Sequence, residues 1–90
     1  MVEWAIPMAQ GYRVVVTLKP KGRKPLAVRE AWVTHTFGQA DRLAYFVGYA
    51  CKVKPDLLTR YQWYREGEKV RKVEIQDRSM GCEVLKELSL

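Results

Sequence analysis

The sequence predicts an α+β fold: an antiparallel β-sheet of about four to five strands in β-ββ-α-ββ order, one helix packed on one face, and a short C-terminal tail element. Three observations carry this expectation. Residues 36–53 repeat their apolar side chains at helical spacing. Residues 12–19 alternate β-branched and aromatic positions with polar ones, at strand spacing. The other apolar runs are short and punctuated by glycine and proline, as strands joined by turns are. With 48% apolar and 11% aromatic residues, the 90-residue chain has enough to bury for a single domain over 1–90, which excludes general disorder.

At the amino terminus Val2, Trp4 and Ile6 alternate with Glu3 and Ala5, a short strand that Pro7 ends. Gly11 precedes the clearest strand, in which Tyr12, Val14, Val16 and Leu18 face one side and Arg13, Val15, Thr17 and Lys19 the other. Two prolines and Gly22 mark 19–25 as a loop. Over 26–37 the apolar parity changes between Val28 and Ala31, which predicts a strand with a bulge near Glu30; two helical turns starting at Pro25 are the alternative.

In the helix, Leu43, Phe46, Val47, Ala50 and Cys51 form one stripe with Ala40, while Arg42, Tyr45, Tyr49 and Lys52 form the outer face. Thr36 and Gln39 fit a capping box, with Gly38 as the alternative cap residue, and Pro55 closes the far end. Gly48, in mid-helix, costs about 1 kcal/mol against alanine; a backbone or ring packed close to it would account for its presence.

Beyond the helix, 57–64 and 69–77 read as a second hairpin turning at Gly67. In that register Tyr61 lies near Arg71 and Trp63 near Lys69, an aromatic and cationic tip. Residues 79–90 fit a short helix or a strand equally well.

The charge balance, 16 basic against 10 acidic residues for a net +6, favours anionic partners: nucleic acid or an acidic protein surface. The simpler account is solubility alone. The excess concentrates at two places. Lys19, Lys21, Arg23 and Lys24 occupy the first hairpin loop with no acid among them, and Arg65, Lys69 and Arg71 flank the second. Together with the aromatics Tyr61, Trp63, Tyr45 and Tyr49, these cations supply phosphate neutralisation and stacking platforms. Arg42 and Lys52 extend the set along the outer helix face.

Conventional catalytic motifs are absent from the sequence. His35 stands alone, and with Cys51 and Cys82 it has no zinc-ligand spacing, so neither metal nor cofactor is expected. The two cysteines do not make a disulfide framework. No stretch is long and apolar enough to span a membrane, and residues 1–8 lack the features of a signal peptide, so a cytoplasmic location is expected.

The expected function is therefore a non-enzymatic binding module for an anionic partner, nucleic acid first. An alternative is a protein-binding inhibitor or adaptor that blocks a nucleic-acid-handling machine. Its likeness to anti-defence and anti-CRISPR proteins of phages and mobile elements is one of size and style only. A lesser alternative is a metal-independent ribonuclease using His35, Arg71, Tyr61 and Lys69. Open sheet edges and the aromatic helix face also suit a homodimer.

Overall fold

The computed structural model of the chain describes residues 10–90, so the strand read at 2–6 lies outside the described residues. The fold is α+β. Strand β1 (Tyr12–Lys19) lies between β2 (Ala27–Thr34) and β3 (Lys69–Asp77), and β4 (Glu83–Ser89) pairs with the far side of β3. All three pairings are antiparallel, in the order β2-β1-β3-β4. Helix α1 (Phe37–Val53) packs across one face.

The core forms where the period-2 pattern of the strands meets the helix. Val14, Val16 and Leu18 of β1 and Val70, Val73 and Ile75 of β3 are buried together with Ala40, Ala44, Val47 and Ala50 of α1. The buried stripe of the helix is thus smaller than the expected one. Val47 and Ala50 belong to it, Leu43 and Cys51 are half-buried, and Phe46 is 49% exposed. A sheet face already filled with branched side chains leaves room for methyl groups, and the larger residues move to the flanks.

The start of α1 follows the expected capping box. The Gln39 amide donates to Thr36 Oγ1 at 3.2 Å, and Gln39 Oε1 accepts from the Thr36 amide at 3.3 Å. At Gly48 the expectation of a close neighbour is not met. An added methyl group would meet only Leu90 Cδ2, at 3.8 Å, which is ordinary contact.

Each strand pairing contains a bulge, with Ala31, Arg71 and Leu85 as the extra residues. The first is the bulge expected near Glu30. The third reverses the parity of β4, so that Lys86 turns toward the helix and reaches Asp41 at 2.6 Å. The opposite sheet face is charged on both sides of Val15, with Arg13 3.5 Å from Glu30 and Lys72 3.5 Å from Glu87.

One sequence expectation needs correction, and one open alternative is decided. Residues 57–64 form no strand: Pro55–Arg60 is a 3-10 helix, in which Thr59 Oγ1 donates to the Asp56 carbonyl at 2.7 Å. The chain then runs irregularly to Gly67, because Tyr61 and Trp63 bury against Trp32 instead of alternating across a sheet. The tail supplies the missing strand. Gly81 and Cys82, with φ of 64° and 61°, turn the chain so that β4 can pair with β3.

Candidate nucleic-acid interface

The end of the sheet where β1 finishes and β3 begins gathers most of the cations singled out in the sequence. Gly22, at φ +88°, lets the β1–β2 loop reverse, and Lys19 holds it closed by donating to the Gly22 and Lys24 carbonyls, both at 3.1 Å. Lys19 is half-buried and serves as an internal clamp, whereas Lys21, Arg23 and Lys24 are exposed. Lys19 also lies directly opposite Lys69 in the β1–β3 pairing, an arrangement that repels unless the ammonium groups turn elsewhere. The two loop carbonyls give Lys19 that alternative. Lys69 remains exposed.

The turn before β3, which carries Arg65 and leads into Lys69, touches this loop. A methyl group added at Gly67, itself at φ +84°, would come within 3.1 Å of the Lys21 side chain. Sequence-distant cations thus meet at one end of the molecule. Arg65 is exposed beside Gly67, and Arg71 is exposed at the bulge two residues beyond Lys69.

Two acids, Glu66 and Glu68, sit among these cations; Glu66 is exposed, and the charge of Glu68 is already matched. Glu68 is buried, and Arg29 grips it with two hydrogen bonds of 2.6 Å. Arg29 also donates to the Trp63 carbonyl at 2.7 Å, the Arg65 amide donates to Glu68 Oε1 at 2.8 Å, and the Tyr64 hydroxyl donates to the Glu68 carbonyl at 2.9 Å. These bonds tie the 61–68 loop to the edge strand β2. The Arg29 hydrogen bonds hold the Glu68 carboxyl below the usual carboxylate range, more than offsetting the effect of burial, and the Arg65 amide adds to them. Burial pushes the Tyr64 hydroxyl up, which keeps it a donor. Sequence reasoning missed this pair; the only signal was an acid placed directly before a strand within a basic stretch.

The aromatic candidates divide. Trp63 is 8% exposed, stacked on half-buried Tyr61 at 5.2 Å between centroids, with Trp32 edge-on to both. Trp63 therefore cannot offer a free ring face, which corrects its expected exposure. Its indole N–H has no acceptor among the described residues. Tyr45 and Tyr49, by contrast, are 68% and 42% exposed on the outer face of α1. Lys52, one turn further on, lines a groove with both of them and a second cavity with Lys69.

The remaining candidates lie elsewhere. His35 and Arg42 line a cavity at the amino-terminal end of α1, near Val33 and Phe46. Tyr12 pairs with Thr34 at that end of β1, and Lys19 pairs with Lys69 at the other. Eight residues of strand, roughly 25 Å, thus separate His35 from Lys69, so the constellation His35, Arg71, Tyr61 and Lys69 does not converge. No group of three potential ligand side chains suited to a metal occurs among the described residues. Cys51 and Cys82 are free thiols, and burial pushes the Cys51 thiol up, away from the reactive thiolate. No helix among the described residues is long and apolar enough to cross a membrane. Compared with known proteins, the chain matches no family model, no curated protein and no solved structure.

Proposed function

We propose that the chain is a non-enzymatic binding module that grips the phosphate backbone of a nucleic acid with the basic end of its sheet, in the cytoplasm. The observation that supports this most is the packing of the Lys19–Lys24 loop, through Lys21, against Gly67 in the turn that leads into Lys69 and Arg71. In that turn Glu68 is neutralised by Arg29, and Glu66 is the one exposed acid. Cations held at separate sequence positions but adjacent in space match a polymer of regularly spaced anions better than they match a single small anion. Lys21, Arg23, Lys24, Arg65, Lys69 and Arg71 are the contact residues in this proposal, and Lys19 shapes the loop that carries three of them.

Fluorescence anisotropy with a labelled oligonucleotide at low ionic strength tests the proposal. The Lys21→Ala, Arg23→Ala, Lys24→Ala triple variant should keep its fold and bind at least tenfold more weakly. Equal affinity of parent and variant would remove the basic end from the interface.

The exposed Phe46 and Val53 beside the two tyrosines favour a second reading, a protein-binding inhibitor or adaptor, since contiguous apolar surface suits a protein interface. A pull-down repeated after nuclease treatment separates the two: partners retained without nucleic acid support the adaptor, and partners lost support the phosphate grip.

A further inference from the structure

We infer that the nucleic acid is held as a single strand, with bases entering the groove between α1 and the end of β4; this rests on the function proposed above. The groove, of about 330 Å³, is lined by Tyr45, Gly48, Tyr49 and Lys52 on the helix side and by Leu90 on the strand side. Its size is at the lower end for a site that takes one small ring compound.

Three observations point to bases and not phosphates alone. Tyr45 and Tyr49 are four residues apart, so both rings stand on one face of the helix, about 6 Å from each other along the axis. Neither is tied up in core packing, and exposed rings in such a row are platforms on which successive bases stack.

The second observation concerns Gly48. Glycine is the poorest helix former after proline, and packing does not require it here, because an added methyl group would make only an ordinary contact with Leu90. What the glycine supplies is a stretch of groove lining without a side chain beside the two tyrosines.

The third is charge. Lys52 belongs both to this groove and to the adjoining cavity that contains Lys69, so a strand leaving the groove passes directly onto the basic end. A duplex keeps its base faces stacked inside and has none to offer such a groove, whereas a single strand does.

The test compares a labelled oligothymidine with a duplex of equal length by anisotropy at low salt, together with thermal melting of each variant. The single strand should bind at least about tenfold more tightly than the duplex. Tyr45→Ala and Tyr49→Ala should each weaken single-strand binding about tenfold and leave duplex binding unchanged. Gly48→Ala should raise the melting temperature and yet weaken single-strand binding severalfold. Equal binding of strand and duplex, with the tyrosine variants without effect, overturns the single-strand inference and leaves the phosphate grip standing. A Gly48→Ala variant that melts lower shows the glycine to be structural and removes the groove argument. Absence of binding to either ligand overturns both this inference and the function beneath it.

Discussion

Glu68 shows how one side chain shapes the basic end without belonging to its surface. Its carboxylate receives two hydrogen bonds from Arg29 and one from the Arg65 amide, all in a buried setting. Removing one partner of such a pair leaves the other buried and uncompensated, so Arg29→Ala should destabilise the fold by roughly 3 kcal/mol, measured by chemical denaturation. The same bonds predict a pH dependence. Because the folded state holds Glu68 below its unfolded pKa, the pair contributes fully above about pH 4.5. That contribution is lost as pH falls through the depressed value. Thermal melting should therefore be steady from neutrality to about pH 5 and decline below it, with a shallower acid limb in Glu68→Gln. An acid limb of equal steepness in both proteins would show that the pair does not act this way.

Among the elements, those whose residues answer to local rules were legible in the sequence. Thr36 and Gln39 announce the start of α1 through hydrogen bonds to their own backbone, and β1 declares itself by alternation. The 55–68 segment was not legible, because its aromatic spacing imitates a strand while its conformation is decided by a distant residue, Trp32. The β4 register was hidden for a related reason: the bulge at Leu85 breaks the alternation that would have revealed it. Trp63 measures how much the irregular segment contributes. Trp63→Ala should cost about 3–5 kcal/mol by denaturation, whereas Trp63→Phe, which also removes the unpaired indole N–H, should cost far less. A near-neutral Trp63→Ala would mean that the ring is not part of the core.

At the scale of the whole molecule, the composition announced an excess of positive charge, but only the fold shows where it collects. Lys21 and Gly67 are 46 positions apart in the chain and packed together in space, and no local pattern could have placed them so. The sequence also could not separate working cations from structural ones. Arg29 and Lys19 resemble their neighbours in type, yet one neutralises Glu68 and the other closes a loop. The most direct measurement is the dependence of oligonucleotide affinity on salt, plotted as log K against log salt concentration for the parent and for the Lys21, Arg23, Lys24 alanine triple variant. If these side chains displace counterions from phosphates, the parent has a steep negative slope and the variant a slope shallower by about 2. Superimposable slopes, or no dependence on salt at all, would contradict the account.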